Sequence, residues 1–261
     1  MASFTIAQIS DLHCGSPHFV PSLLERAIVE INALEPDVVV VSGDLTGDGF
    51  RQEYESARAF LDTVECERMM VIPGNHDSRN VGYVHFEELF GDRASELHVD
   101  GVSIVALDST EPDLDHGTVG RGRYEWIGER FAQPAYLRVF VLHHHLLPVP
   151  GTGRERNVVH DAGDTLECLQ GADVHLVLSG HKHVPYAWCL EDLFVVNAGT
   201  VSTTRLRGKT RPCYNVIEAG PERVSVYRKF PFHERDELVS FNPSTFEYEK
   251  ASSLFRETAT G

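Results

Sequence analysis

Short apolar runs of strand length recur along the chain, and polar residues follow each of them. The runs that predict buried strands lie at 4–10, 37–43, 68–74, 103–109, 137–143 and 174–180. Between the first three runs, apolar residues recur at helical spacing over residues 23–34 and 54–64, which predicts two amphipathic helices. Strands that alternate with helices in this way form a parallel sheet. Two further helices are predicted over residues 124–131 and 163–170.

The segment from residue 185 to residue 230 has a different pattern, because four apolar runs follow one another without a helix between them. These runs are PYAWCLE, LFVVNAG, CYNVIEA and RVSVYRKF. They predict consecutive strands, and we expect this half of the structure to be antiparallel. The sequence shows no internal repeat and no low-complexity linker. We therefore predict one α/β domain over residues 1–232 and a polar C-terminal tail over residues 233–261 whose packing the sequence does not define.

The composition indicates the cellular compartment of the protein and excludes some classes of binding partner. The chain has 261 residues and a formal net charge of −16, so duplex nucleic acid is an unfavourable partner unless cations gather locally. No apolar run approaches the roughly 20 residues that cross a bilayer, and the N-terminal segment lacks the features of a secretory signal. The five cysteines are scattered and form no C-x-x-C pair, which is typical of reduced thiols. We therefore predict a cytoplasmic protein without a membrane span.

Acidic residues, histidines and one asparagine stand where the predicted strands end. They are Asp11, His13, Asp44, Asn75, His76, Asp77, the triplet His143, His144 and His145, and the pair His181 and His183. Because the carboxyl ends of parallel strands meet at one crevice, we expect these side chains to share a pocket. Oxygen ligands combined with imidazoles suit Mn, Fe or Zn. Asp11, His13, Asp44, Asn75, one histidine of the triplet, His181 and His183 make seven ligands, which are too many for one ion. Two divalent or trivalent transition-metal ions about 3.5 to 4 Å apart, with one shared carboxylate, would use them all.

The order of these motifs resembles that of the calcineurin-like metallophosphoesterase superfamily. D-x-H, G-D, G-N-H-D, H-H and G-H-x-H follow one another between residues 11 and 183, and the resemblance covers roughly residues 4–200. It implies a four-layer α/β/β/α sandwich in which helices flank two mixed sheets. It also implies one metal held by Asp11, His13 and His183, a second held by Asn75, His181 and one histidine of the triplet, and Asp44 as the bridge between them.

Two positions within these motifs need separate treatment. Alternation along a strand places His144 on the opposite face from its two neighbours. Alignment of the triplet with the family's H-H-x-P motif favours His144 as the metal ligand, with His143 as the main competitor. The resemblance assigns His76 to the substrate side of the site, where it would act as the general acid, and it assigns Asp77 to orient His76.

The chemistry that two metal ions offer is hydrolysis of a phosphate ester. Bound ions neutralise the phosphate oxygens and lower the pKa of a coordinated water from about 15.7 to about 7, which supplies hydroxide for in-line attack. An imidazole such as His76 can protonate the leaving alkoxide, which contributes about 10²- to 10⁴-fold to the rate. In the polar loop that follows the histidine triplet, Asn157 and His160 are candidate contacts for the substrate.

The predicted substrate is a small phosphodiester. Protein phosphatases of the superfamily carry an arginine in the motif G-D-x-x-D-R-G, and this chain has Asp48 at that position, so a phosphomonoester dianion would lack a counter-charge. The segments LDST, GTVGRGRYEWIGERF and NAGTVSTTRLRG are similar in layout to those of the bacterial class III cyclic-nucleotide phosphodiesterases. We therefore predict a metal-dependent phosphoric diester hydrolase that acts on a cyclic nucleotide or a molecule of similar size.

Other functions stay open at this point. A hydrolase of glycerophosphodiesters or of lipid-linked diesters is one alternative, although the sequence shows no apolar face for membrane docking. A nuclease is another, for which Arg205, Arg207, Lys209 and Arg211 could form a local basic strip. A non-catalytic scaffold with the same fold is the third, and such proteins typically lack part of the ligand set. The oligomeric state is also open, with a homodimer as one alternative.

Overall fold

The computed structural model describes residues 3–150, 152, 158–207 and 210–250, and within them the chain forms thirteen strands, five α-helices and one short 3₁₀ turn at Arg121–Arg123. The strands are β1 Phe4–Ile9, β2 Val38–Ser42, β3 Met69–Ile72, β4 Ala94–Val99, β5 Val102–Leu107, β6 Leu137–Val141, β7 Leu176–Ser179, β8 Tyr186–Leu190, β9 Leu193–Asn197, β10 Tyr214–Ala219, β11 Val224–Lys229, β12 Arg235–Phe241 and β13 Tyr248–Lys250. The helices are α1 Pro21–Leu34, α2 Arg51–Leu61, α3 Gly82–Phe90, α4 Tyr124–Arg130 and α5 Ala162–Gly171.

The strands form two mixed sheets. The first has the order β13-β12-β11-β10-β1-β2-β3, and its strands β1, β2 and β3 are parallel. The second has the order β4-β5-β6-β7-β9-β8, and its strands β5, β6, β7 and β9 are parallel. Helices α1, α2 and α3 pack on the outer face of the first sheet, and α4 and α5 pack on the outer face of the second. The predicted four-layer α/β/β/α sandwich is therefore confirmed.

The central strands are buried on both faces, and this explains why their sequences are apolar without alternation. In β2, Val38 and Val40 belong to the core between the two sheets, whereas Val39 and Val41 belong to the core under α1 and α2. Strand β6 divides in the same way between the inter-sheet core and the core under α4 and α5. Each strand thus ties two apolar layers together, and its carboxyl end is held in a fixed place.

One part of the chain departs from the predicted topology, and the structure also describes part of the tail whose packing the sequence left undefined. Strands β8 and β9 form the expected antiparallel hairpin, but β9 lies beside β7 and runs parallel to it. The reason is that β8 takes the edge of the sheet, which leaves its hairpin partner next to β7. At the C-terminus, β12 and β13 extend the first sheet beyond β11, and Val239 and Phe241 are buried in the inter-sheet core. The tail predicted from residue 233 therefore belongs to the sandwich as far as residue 250.

Helix α3 and strand β4 have no counterpart in the sequence prediction. Helix α3 follows Val81, which has a left-handed backbone conformation (φ 58°), and no side chain caps its first turn. Its Phe86 and Phe90 rings pack on Tyr54 of α2, with centroid separations of 6.4 and 6.2 Å. Tertiary packing therefore holds this helix in place of local capping signals. Among the described helices, none is long and apolar enough to cross a bilayer.

Candidate metal centre

The loops that carry the candidate ligands meet at one edge of the sandwich, where the two sheets face each other. The loops after β1 and β2 remain joined beyond their strands, since Asp11 N donates to Gly43 O at 2.9 Å. Two hydrogen bonds then connect the first sheet to the second. His143 Nδ1 donates to Ser42 O at 2.8 Å, and His181 N donates to the Asp11 carboxylate at 3.0 Å. The site is therefore built from backbone-anchored loops of both sheets.

The backbone is strained at the candidate ligands. Positive φ angles occur at Asp11 (54°), His13 (52°), Asp44 (54°), His181 (79°) and His183 (56°). A residue with a side chain rarely adopts this conformation, which costs on the order of 1–3 kcal/mol. The glycine of the G-N-H-D motif serves close approach, because a Cβ at Gly74 would lie 2.2 Å from Asp44 Oδ1. Strain concentrated in this way is typical of a functional site.

The first cluster contains Asp11, His13 and His183, whose ligand atoms lie within 4.8 Å of one another. The Nε2 atoms of the two histidines are 2.9 Å apart, and His183 Nε2 is 3.3 Å from Asp11 Oδ1. Each Nδ1 faces a backbone carbonyl, Thr46 O at 3.2 Å for His13 and Arg205 O at 2.5 Å for His183. Because a carbonyl can only accept, each Nδ1 carries a hydrogen, and when both rings are neutral the two Nε2 lone pairs point at each other. A cation between them removes this repulsion, so the cluster fits a metal ion.

The second cluster contains Asp44, His143 and His181. His143 Nδ1 donates to Ser42 O, so in the neutral ring its Nε2 is an acceptor; this atom lies 3.4 Å from Asp44 Oδ1 and is buried without a hydrogen-bond partner. His181 Nδ1 lies 2.8 Å from Asn75 Oδ1, which brings the asparagine of the G-N-H-D motif to the same cluster. Acceptor atoms again face one another, and a second cation would satisfy them.

Of the histidine triplet, His143 is the residue that groups with Asp44 and His181. His144 Nδ1 lies 2.9 Å from Ser109 Oγ, and His144 is absent from the groups of three candidate ligands among the described residues. The ring planes of His143 and His144 are inclined at 81°, and both rings lie near that of His181, at centroid separations of 5.2 and 4.8 Å. However, it is His143 that turns toward the first sheet. The choice of His144 stays a prediction, since its Nε2 is also buried without a hydrogen-bond partner and its ring lies 4.8 Å from that of His181; we assign the ligand role to His143 in the proposal below.

Asp44 lies between the two clusters. Its Oδ1 is 3.4 Å from His143 Nε2, and its Oδ2 is 3.6 Å from His13 Nε2. The backbone N–H of His76 donates to Oδ1 at 2.9 Å and fixes the orientation of the carboxylate. Each carboxylate oxygen thus faces one cluster, and a carboxylate in this position can bind one ion with each oxygen.

Burial and charge set the protonation states of the cluster. Burial lowers the pKa of His13 to about 4 and lowers that of His181 well below its ordinary value. Burial alone would raise the pKa of Asp44, but the imidazoles of His143 and His76 lower it well below the usual range. In turn, the Asp44 carboxylate outweighs the effect of burial on His143 and raises its pKa to about 9. A metal ion binds neutral imidazole, so it must displace the proton of His143.

His76 lies half-buried at the mouth of the site, with its ring 4.7 Å from that of His13. Its Nδ1 donates to Gly47 O at 2.5 Å, and Arg79 Nη1 lies 3.0 Å from the same nitrogen. The Asp77 carboxylate is fully buried and accepts hydrogen bonds from elsewhere, namely from Leu45 N, Thr46 N, Thr46 Oγ1 and Gly74 N. The predicted orienting contact between Asp77 and His76 is therefore contradicted. Gly47 orients the imidazole, and Asp77 holds the loop that follows β2.

The two predicted substrate contacts have different outcomes. Asn157 lies outside the described residues. His160 is exposed, its ring stacks on His116 at a centroid separation of 4.2 Å, and its N–H donates to Gly117 O at 2.9 Å. His160 does not border the two cavities that open above the clusters. Within the described part of the chain, His160 is thus part of a loop contact beside the site.

Two adjoining cavities of ≈240 and ≈90 Å³ open above the clusters, and both are bordered by His76, Arg79 and Arg205. Lys182 and Arg207 border the smaller one. None of these cations enters the sequence prediction as a residue of the metal site. The available signal was their position, because Arg79 stands three residues after His76 and Lys182 stands between the two histidines of G-H-K-H.

The chain is similar to known phosphoesterases in sequence and in fold. A family model described as calcineurin-like phosphoesterase matches residues 4–185. The chain is 28% identical over 194 residues to a probable cyclic nucleotide phosphodiesterase of Synechococcus, which covers 69% of this chain and 74% of that protein. It is 26% identical over 218 residues to a cAMP/cGMP dual specificity phosphodiesterase of Mycobacterium tuberculosis, which covers 74% of this chain and 66% of that protein. In fold it is similar to a dimetal phosphatase from Danio rerio, with a TM-score of 0.72 and 12% identity over 91% of this chain and 99% of that chain.

Proposed function

The chain belongs to the calcineurin-like phosphoesterase family, and on this premise we propose that it hydrolyses a small phosphodiester at a dinuclear transition-metal centre. The observation that carries the metal assignment is the 2.9 Å approach of two histidine Nε2 atoms whose Nδ1 atoms both face carbonyls. In this proposal the first ion is held by Asp11, His13 and His183, the second by Asn75, His143 and His181, and Asp44 is shared. Manganese, iron and zinc suit this mixture of oxygen and imidazole ligands.

The reaction divides between the ions and the side chains. When bound, two such ions neutralise phosphate oxygens and allow water to act as a nucleophile at neutral pH. The chain itself must manage the proton that the leaving group needs, and His76 borders both cavities with its ring fixed by Gly47. A ligand atom of His76 also lies within 4.8 Å of those of His13 and Asp44. Metal content of a His76→Ala variant therefore distinguishes a proton donor from a metal ligand.

The position of Arg79 changes the argument about substrate charge. The sequence predicts no cation on the Asp48 side of the site, whereas the structure places the Arg79 guanidinium there. Arg79 Nη1 is 3.2 Å from Asp48 Oδ1, and its Nη2 is 2.7 Å from Asp115 Oδ1. Two carboxylates thus already match its charge. We infer that a diester with one negative charge suits this side of the site better than a phosphomonoester dianion does.

The identity of the diester is a finer proposal. Relatives named as cyclic nucleotide phosphodiesterases support a cyclic nucleotide as the first substrate to test. A glycerophosphodiester has the same single charge and a similar size, so it is the second substrate of the panel. A phosphomonoesterase is the alternative function, and the observation that favours it is the presence of Arg79 itself.

Hydrolysis of two nitrophenyl esters tests the proposal. After reconstitution with Mn²⁺, Fe²⁺ or Zn²⁺, kcat/KM for bis(p-nitrophenyl) phosphate should exceed that for p-nitrophenyl phosphate by at least about tenfold, which is about 1.4 kcal/mol of transition-state stabilisation. Cyclic 2′,3′-AMP or 3′,5′-AMP should also be hydrolysed, and chelator should abolish both activities. A preference for the monoester with both metals saturating would refute the diesterase assignment and support the phosphatase.

A further inference from the structure

The smaller cavity above the metal clusters has a charge opposite to that of the protein. The whole chain carries a formal net charge of −16. Yet the cavity is lined by four cationic side chains, Arg79, Lys182, Arg205 and Arg207, and by one carboxylate, Asp115. The other lining residues are Asn75, His76, His181 and His183, which belong to the metal centre. Such a local reversal of charge next to a catalytic centre selects for anions.

Within the described part of the chain, three of these four cations have no acidic partner. Asp48 and Asp115 both bind Arg79. Among the described residues, no carboxylate lies within ion-pair distance of Lys182, Arg205 or Arg207, and the side chain of Arg207 makes one long contact of 3.4 Å to Thr152 O. Lys182 is only 7% exposed. Burial of an ammonium group is costly, and Arg207 beside it adds repulsion that Asp115, the one carboxylate of the cavity, offsets only in part.

These cations are held next to the metal clusters by the backbone. Lys182 lies between His181 and His183 in the chain, and Lys182 N donates to Gly180 O at 3.1 Å. Arg205 O accepts the Nδ1 hydrogen of His183 at 2.5 Å, so the segment that carries Arg205 is tied to a ligand of the first cluster. An anionic group bound by these side chains would therefore sit at a fixed position relative to the ester under attack.

We propose that Lys182, Arg205 and Arg207 form a subsite for a second phosphoryl group of the same small substrate. This proposal rests on the proposed diesterase function and specifies its substrate class. The scissile diester carries one charge, which the metal centre neutralises, so three further cations exceed what a plain cyclic mononucleotide requires. The preferred substrates are then small diesters that carry an additional phosphate, and the subsite binds that phosphate through charge-assisted hydrogen bonds.

A matched pair of chromogenic substrates tests this subsite in the metal-reconstituted protein. The pair is thymidine 5′-(p-nitrophenyl phosphate) with and without a 3′-phosphate, because the two compounds differ only in the second phosphoryl group. We expect the 3′-phosphate to raise kcat/KM by about tenfold, mainly through a lower KM. Equal kcat/KM values for the two compounds in the wild-type protein would overturn the proposal.

Variants assign the effect to the named side chains. The preference for the 3′-phosphate should fall in each of the variants Lys182→Gln, Arg205→Gln and Arg207→Gln. Lys182→Arg keeps the positive charge and should therefore retain the preference. Arg223→Gln is the matched control, since Arg223 is exposed and pairs with Glu237 away from the cavity. A variant that lowers kcat equally for both compounds would show a structural effect and contradict a phosphate subsite. Arg205 and Arg207 are exposed, so their variants should fold even if those of Lys182 do not.

A binding measurement separates this proposal from the proposed function. Thymidine 3′,5′-bisphosphate should bind the metal-free protein in chelator, as followed by calorimetry, and Arg205→Gln should weaken that binding by about tenfold. If neither nitrophenyl ester were hydrolysed, the diesterase function would fail while this titration still decided the subsite. Stronger binding of a single-stranded oligonucleotide than of the bisphosphate would replace the small-molecule subsite with a nuclease groove.

Discussion

Replacement of His143 by asparagine should empty one of the two metal sites, whereas the same replacement of His144 should not. An asparagine amide occupies the position of Cγ and Nδ1, so His143→Asn can keep the donor to Ser42 O and delete Nε2, the atom 3.4 Å from Asp44 Oδ1. His144→Asn can likewise keep a partner for Ser109 Oγ and delete its own Nε2. The two variants therefore remove the same atoms from neighbouring buried rings.

The magnitude follows from the contacts of the two rings. Loss of a residue that only orients a metal ligand lowers metal affinity by about 10- to 100-fold. Loss of the ligand itself should therefore lower the affinity of the second site by at least about 100-fold, or about 2.8 kcal/mol. His144 meets this cluster through the rings of His143 and His181, at centroid separations of 5.3 and 4.8 Å. For His144→Asn we expect a loss of less than about tenfold.

The assay is metal content at a series of chelator-buffered concentrations of free Mn²⁺ or Zn²⁺, measured by mass spectrometry. The wild-type protein and His144→Asn should hold two ions per chain at a concentration where His143→Asn holds one. Thermal melting in excess chelator provides the control that both variants fold equally well without metal. Loss of the second ion from His144→Asn, with both ions retained by His143→Asn, would refute the assignment.

Three further substitutions test other parts of the site. Asp44→Ala should remove more metal than any other single substitution, as measured by metal content, because each of its oxygens faces a different cluster. If His76 is a proton donor, His76→Ala should keep both ions and lose about 10²-fold in kcat for an alkyl phosphodiester, with a smaller loss for a nitrophenyl ester, whose leaving group needs no proton. Asp77→Asn should lower the free energy of unfolding by about 2–6 kcal/mol in urea titrations with chelator present, because at least two of the four buried donors that Asp77 accepts from lose their acceptor. Asp62→Asn is the control, because Asp62 is exposed. An equal effect of the two substitutions would contradict the role given to Asp77.

The convergence of the ligands could be predicted from the sequence because it depends on strand direction. Parallel strands place their carboxyl ends together whatever the details of packing, so a polar residue directly after an apolar run has a predictable position. Asp11, Asp44 and Asn75 follow β1, β2 and β3 and meet as this rule requires. The rule holds because these strands are largely apolar and are mostly buried.

The choice within the histidine triplet could not be predicted in this way. Alternation predicts opposite directions for His143 and His144, but it does not say which of the two rings binds the metal. That depends on the first sheet, where Ser42 O accepts the hydrogen of His143 Nδ1 across the gap between the sheets. Sheet packing is a long-range property, and the local sequence carries no record of it.

The cations at the cavity were missed for a related reason. Arg79 and Lys182 lie within or beside motifs whose other residues are candidate metal ligands, and their charges become informative only when their partners are known. Arg79 is matched by Asp48 and Asp115, which stand 31 and 36 residues away in the chain. Lys182 has no such partner among the described residues. The contrast between a compensated and an uncompensated cation exists only in the folded chain.

A buried polar network under the metal centre shows how the fold keeps both clusters in register. Gln8 of β1 donates through Nε2 to Ser42 Oγ at 2.9 Å and to Ser179 O at 3.2 Å, so it joins the first sheet to the second. Asn215 Nδ2 donates to Gln8 Oε1 at 2.9 Å, and Asn197 Nδ2 donates to Ser179 Oγ at 2.6 Å. All five residues are fully buried, where each of these hydrogen bonds avoids the cost of an unpaired polar group.

This network restricts the sheets to one relative position. An apolar interface alone would permit one sheet to slide on the other at little cost, because hydrophobic contact is not directional. A shift by one residue would break the bonds of Gln8 and leave its amide unpaired in the core. Ser42 and Ser179 are the last residues of β2 and β7, directly before the loops that carry Asp44 and His181. The hydrogen bonds that fix the sheets therefore also fix the separation of the two ligand sets, on which the binding of a pair of ions depends.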